Sequence, residues 1–259
     1  MTEAQVVVHH GGDVLAAATA ARLVTRIVDA QSARGWASVV LTGGRTGTAV
    51  LEQLRASPAR DAIDWGRVDL YWGDERFLPA GDPERNETQA RAALLDHVPV
   101  DPARVHAVEP SDGRFGDDPE AAADAYADVL AAAAQPEDHG AVPTFDVLML
   151  GVGEEGHVAS IFPSSPAVYE QERTVVAVRN CPKPPPTRVS MTLPAIRRAR
   201  EVWLMTTGEA KAAAVALALT GAGEVSLPAA GARGLRRSLW LLDRAAAAKV
   251  PTLFAPPTA

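Results

Sequence analysis

Apolar residues along the chain fall into short dense runs, separated by longer stretches with helical spacing. The runs at 5–10 (QVVVHH), 38–41 (SVVL), 68–72 (VDLYW), 145–150 (FDVLML), 174–178 (TVVAV), 189–193 (VSMTL), 201–207 (EVWLMTT) and 238–242 (SLWLL) predict strands. Between them, an alanine-rich segment predicts a helix to about residue 34, capped by Asp13, with Leu15, Leu23 and Ile27 on its apolar side. Further helices are predicted over 48–55, 88–95, 119–134 and 209–220, with a short one ending near residue 249 before a proline-rich tail. The segment 179–187, RNCPKPPPT, is a stiff loop, because proline cannot donate to a ladder or continue a helix. Strands alternating with helices predict an α/β fold. The expected architecture is a mostly parallel, doubly wound, Rossmann-like sheet with helices on both faces, in a single domain over 1–259 with room for a small appended lobe. No internal repeat is present, and the loop at 135–144 is too short to mark a boundary.

Composition narrows this picture. Of the 259 residues, 47% are hydrophobic, enough for a full core. The formal charge of −7 argues against a non-specific nucleic-acid partner, but leaves room for a small basic pocket. A single cysteine, Cys181, excludes an internal disulfide and a cysteine metal cluster, and suits a reducing, cytoplasmic compartment. The first residues, MTEAQVVVHH, lack the basic and apolar regions of a signal peptide. No apolar run nears the roughly 20 residues that cross a bilayer, so no membrane partner is expected. Oligomeric state is expected to be monomer or weak homodimer.

In doubly wound sheets, ligands sit beyond the carboxyl ends of the strands. Four such ends carry unusual polar sequence: TGGRTG (42–47), GDER (73–76), GVGEEGH (151–157) and TTGEAK (206–211). Simple turns need a glycine and a cap, not this concentration of charge. Thr42, Gly43 and Gly44 fit a phosphate cradle, in which backbone N–H groups approach an anion at a helix start; an ordinary strand-to-helix turn would use the same glycines. The loop lacks the G-K-[ST] ending of a Walker A motif. Arg76 suits anion clamping, and Asp74 the orientation of a base or a hydroxyl. His157, after Gly156, is the candidate general base. His9, His10, His97, His106 and His139 sit in no motif and read as structural. Arg188 and Lys211 matter only if the cleft takes a phosphate. No ligand spacing for a metal is present, and no cofactor is expected.

Gly151, Gly153 and Gly156 spell G-x-G-x-x-G, the dinucleotide fingerprint. The context opposes it. Glu154 and Glu155 would meet the pyrophosphate, Pro163 and Pro166 interrupt the helix that should follow, and Glu170 and Glu172 precede the next strand rather than end it.

Taken together, LTGGRTG, YWGDERFLP with Asn86 downstream, FDVLMLGVGEEGHVASIFP, RVSMTLP and TGEAKAAAV resemble the 6-phosphogluconolactonase family in order over nearly the whole chain. LPAAGARG and WLLDRAAAA near the end fit as well. Glucosamine-6-phosphate deaminases, of related fold, would continue GHIAFNEP where this chain has Ser160-Ile161-Phe162-Pro163. The family's usual DGH is Glu155-Gly156-His157 here, its SGGSTP is TGGRTG, and its SNY is Arg85-Asn86-Glu87. The resemblance implies metal-independent hydrolysis of a small phosphorylated sugar lactone. Phosphate would rest on Thr42, Gly43, Gly44, Arg188 and Lys211, with Arg45, Asn86, Gly151 and Gly153 around the sugar. His157 would activate water, Arg76 or a backbone N–H of 151–157 would hold the oxyanion, and Asp74 and Glu155 would orient His157 or Arg76. The alternatives are a deaminase or isomerase of the same fold, which would release ammonia from glucosamine-6-phosphate, and a sensor that binds a sugar phosphate without turnover.

Overall fold

The computed structural model describes residues 4–138 and 140–254; His139 and the end of the proline-rich tail lie outside the described residues. Among the described residues, nine strands run β1 (Ala4–His9), β2 (Ala37–Leu41), β3 (Val68–Trp72), β4 (Asp74–Arg76), β5 (Val147–Gly151), β6 (Val175–Val178), β7 (Arg188–Met191), β8 (Glu201–Thr206) and β9 (Arg237–Asp243). Six of them form one sheet, all parallel, in the order β3-β2-β5-β8-β9-β1. Strands β2, β5, β8 and β9 are almost entirely buried, which is why they read as unbroken apolar runs: a parallel sheet is covered on both sides.

Alternation along each strand divides its side chains between two cores. Val39, Leu41, Met149, Trp203, Met205, Leu239 and Leu241 face α1 (Gly12–Arg34), α2 (Gly44–Ala56) and α3 (Asn86–Ala93). Val40, Leu148, Leu150, Val202, Leu204, Trp240 and Leu242 face the other way, onto α4 (Pro119–Ala133) and the later short helices α5 (Pro166–Tyr169), α6 (Leu193–Ile196), α7 (Ala212–Leu219) and α8 (Pro228–Gly231). In α1, Leu15, Leu23 and Ile27 lie on the buried stripe as the spacing predicts. The second core also includes Val175, Val176, Val189 and Met191 from a three-stranded antiparallel sheet, β4-β7-β6. The appended lobe thus shares a core with the main sheet.

Several sequence expectations are corrected. Asp13 does not cap α1; Gly11 occupies that position without a side-chain bond, and Asp13 lies in the first turn. Helix α2 starts at Gly44, so part of the TGGRTG turn is the helix start itself. The segment after Asp243 forms turns in place of a short helix. GDER is not a plain loop: a single residue, Gly73, separates β3 from β4, and the chain passes there from the large sheet to the small one.

Candidate active site

Strand β2 connects towards β3 on one side, whereas its other neighbour β5 leads on to β8. The winding reverses between them, which makes the carboxyl ends of β2 and β5 the topological switch point. A cleft of about 500 Å³ opens there. Thr42, Gly43, Gly44, Arg45, Asp74, Arg76, Asn86, Gly151, Gly153, His157, Arg188 and Lys211 all line it, together with Glu154 and Lys183. Of the residues singled out from sequence, only Glu155 stands behind the lining.

The first wall is the α2 N-terminus. Gly43 is the N-cap and makes no side-chain cap bond, and Gly44 has φ +77. A Cβ on Gly43 would fall 1.8 Å from Asn86 Oδ1, so this turn needs glycine to let α3 come so close. Asn86 Nδ2 donates to the Asp74 carbonyl at 2.8 Å. Behind it, the fully buried Glu75 accepts from the backbone N–H groups of Arg76 (2.8 Å), Asn86 (2.6 Å) and Glu87 (2.9 Å). Glu75 thereby caps α3 from outside and locks Arg76 and Asn86 to one support. Burial pushes its carboxyl up to about 7, against the Arg85 guanidinium and those three N–H donors. Arg85 itself is wholly buried, donating to Glu87 and to the carbonyls of Leu78 and Val108.

The second wall is the loop after β5. Gly156 turns at φ +84, where a Cβ would meet the Leu227 side chain at 2.3 Å. The N–H groups of Gly153 and Gly156 are used inside the loop, donating to the carbonyls of His157 and Gly153 at 3.0 Å each. They are therefore not available to an oxyanion. Arg76 spends one N–H on the Glu84 carbonyl, 2.6 Å away, and keeps others for the cleft. His157 stacks on Phe162 at 4.5 Å, and its Nδ1 lies 3.1 Å from Glu155 Oε1 without hydrogen-bond alignment. Burial lowers its basicity below the ordinary value; Glu155 and Asp74 oppose this, and Lys183 adds to it. The shift favours the neutral imidazole, the form a general base needs. The other oxygen of Glu155 takes Lys183 Nζ at 3.0 Å. Burial works against ionisation of Glu155, but its own backbone N–H, Lys183 and His157 keep it below the usual carboxylate range.

Asp74 serves neither His157 nor Arg76 directly. It accepts from Ser160 Oγ at 2.7 Å and stands 4.0 Å from Arg188, since β4 lies antiparallel to β7. Arg188 is less free than its sequence position implies. Its guanidinium donates to the carbonyls of Pro185, Lys183 and Pro184 and to Ser160 Oγ, leaving one N–H. Its main geometric effect is to pin the proline loop, and that loop carries Lys183 into the cleft. Lys183 was missed from sequence, where 179–187 read only as a stiff connector; a cation amid prolines beside a basic strand start was the available signal. Lys211 completes the cluster. Burial lowers its proton affinity, as do the neighbouring cations Lys183 and Arg45, with Glu154 and Asp243 in opposition. Lys183, Arg45 and Lys211 are thus gathered within the cleft, where a bound anion would relieve their mutual repulsion. Thr46 and Thr207 hydroxyls, 3.4 Å apart, tie the β2 and β8 loops together. Among the described residues, no group of three or more His, Cys, Asp or Glu is placed to hold a metal ion.

Fold and site together define a doubly wound α/β protein whose switch-point cleft gathers cations around an imidazole. The chain belongs to the family of glucosamine-6-phosphate isomerases and 6-phosphogluconolactonases, whose model matches residues 11–240. It is 65% identical over 253 residues to a 6-phosphogluconolactonase of Streptomyces coelicolor, covering 98% of this chain and 97% of that one. A 6-phosphogluconolactonase of Mycobacterium tuberculosis is 55% identical over 240 residues, 93% of this chain and 96% of the relative. The structure of 6-phosphogluconolactonase from Trypanosoma brucei superposes with a TM-score of 0.83 at 27% identity, covering 97% and 100%. A monomeric glucosamine-6-phosphate deaminase, 20% identical, shares the fold with a TM-score of 0.76 over 95% and 99% of the two chains.

Proposed function

We propose that this protein is a lactonase that hydrolyses 6-phospho-D-glucono-1,5-lactone to 6-phosphogluconate. The observation that carries the reading is one cleft lined both by His157 and by three cations, Arg45, Lys183 and Lys211, of which Lys183 is paired with Glu155. The substrate's identity follows from the lactonases that this chain matches along nearly its whole length.

The phosphate rests on the α2 N-terminus at Thr42, Gly43 and Gly44, with Lys211, Lys183 and Arg45 balancing its charge and Arg188 giving at most its one remaining N–H. That anchor, remote from the reacting carbon, turns binding energy into orientation of the lactone carbonyl. Asn86, Gly151 and Gly153 shape the space around the sugar. His157 removes a proton from water as its oxygen bonds to C1. Arg76 stabilises the oxyanion of the tetrahedral adduct. When the C1–ring oxygen bond breaks, imidazolium returns the proton to the departing oxygen. Glu155 steadies His157, and Asp74 supports the site through Ser160 and Arg188. The same reading has the protein acting as one domain, monomeric or weakly dimeric, in the cytoplasm, without nucleic acid or membrane; the acidic charge and single cysteine support it.

The test is a coupled assay on freshly generated 6-phosphogluconolactone, corrected for spontaneous hydrolysis, beside unphosphorylated gluconolactone and glucosamine-6-phosphate. Strong preference for the phosphorylated lactone is expected. Equal rates on both lactones, or ammonia release from the amino sugar, would refute the assignment.

A further inference from the structure

Glu155 divides its two carboxylate oxygens between two partners. One oxygen lies 3.0 Å from Lys183 Nζ, and the other lies 3.1 Å from His157 Nδ1, which nevertheless has no aligned hydrogen bond. The backbone of Lys183 is fixed, because Arg188 holds its carbonyl at 3.1 Å. Its side chain is not fixed in that way: it is 45% exposed and lines the cleft. From there it also faces Lys211, a repulsion that an anion between them would reverse.

We propose that Lys183 is a positioning residue that makes the base respond to the phosphate: in the empty cleft it occupies Glu155, and a bound phosphoryl group draws it away, freeing Glu155 to pair fully with His157. This rests on the phosphate reading above and deepens it, since the substrate's remote group would raise the basicity of the catalytic imidazole in addition to orienting the lactone. The charged groups facing His157 are Glu155 from its own loop, Lys183 from the proline loop and Asp74 from β4, while Phe162 presents an apolar ring. Of these, Lys183 alone is a cation, and its half-exposed side chain lines the cleft. Linkage makes the effect reciprocal: an anion that raises proton affinity at His157 must itself bind more tightly when His157 is protonated.

The experiment is a pH titration of the His157 ring nitrogens by NMR in wild type, Lys183→Met and Glu155→Gln, each with and without saturating inorganic phosphate. The spectrum of His157→Gln assigns the signal among the six histidines. Without phosphate, Lys183→Met is expected to raise the His157 titration midpoint by roughly half a unit to one unit, and Glu155→Gln to lower it. Phosphate should raise the midpoint more in wild type than in either variant, the bound anion's direct field being present in Glu155→Gln too. An equal phosphate-induced shift in wild type and Glu155→Gln, or an unmoved midpoint in phosphate-free Lys183→Met, would overturn the proposal. The titration needs no turnover, so it separates failure of this coupling from failure of the lactonase assignment, which only the lactone assay decides.

Discussion

His157 suits the proposed role of general base because burial disfavours its charged form while the ring still lines the cleft. Stacking on Phe162 and burial remove water from the ring, while Glu155 keeps Nδ1 beside a carboxylate. Replacing it with alanine should lower kcat by about 10²–10⁴-fold, the usual weight of a general base, with a circular dichroism spectrum unchanged. In wild type, protonation inactivates the base, so activity must fall as pH drops through its titration. Because burial lowers that titration, the acid limb of kcat/KM should lie below the ordinary imidazole value of 6.5, as a pH–rate profile will show. In the proposed reading Lys183 and Lys211 both balance the substrate's phosphate, whatever Lys183 does to His157. Alanine at either should raise KM for the phosphorylated lactone roughly tenfold to a hundredfold, the worth of one charge-assisted hydrogen bond, and leave KM for gluconolactone little changed.

At the scale of elements, the junction of α2 with α3 is the tightest part of the site. Gly43→Ala should push Asn86 aside, costing about 1–3 kcal/mol of stability in urea unfolding and reducing activity. If the clash is the cause, adding Asn86→Ala should recover stability relative to the single variant, because the two positions touch and their effects do not add. These elements differ in how plainly the sequence announces them. The parallel strands were legible because burial on both faces writes them as apolar runs, and the four polar strand ends stood out against them. Strand β4 was not legible: three residues, Asp74–Arg76, with two carboxyls and a guanidinium, carry no hydrophobic period, and only pairing with the distant β7 makes them a strand. The roles of Arg188 and Lys183 were hidden for a related reason. Sequence shows an arginine and a lysine flanking prolines, but not that one is consumed by carbonyls so that the other reaches the cleft. Asp13 was misread as a cap because its residue type fits one; the turn Gly11-Gly12 starts the helix before it.

For the molecule as a whole, chemistry and cohesion sit at opposite ends of the sheet. Asp146 precedes β5 and binds Arg34 at 2.5 Å, Arg200 at 3.5 Å and the Ser38 backbone N–H at 3.0 Å. The five residues of β5, at about 3.3 Å each, separate this network from the cleft. Asp146→Ala should therefore lower stability by about 2–4 kcal/mol, read as a fall in Tm, with kcat and KM retained in the remaining folded protein. The order of strands has a further consequence, which concerns time rather than energy. β1 lies at the sheet edge beside β9, and His9 contacts the Leu242 carbonyl across 233 positions of chain. On the ribosome, β1 must wait for β9, the last of the described strands, before it can pair. Until then β9 is absent, β8 is an open edge, and the apolar β1 has no partner. β1 thus waits longer for its neighbour than any other described strand, and the sheet closes only once β9 has been made.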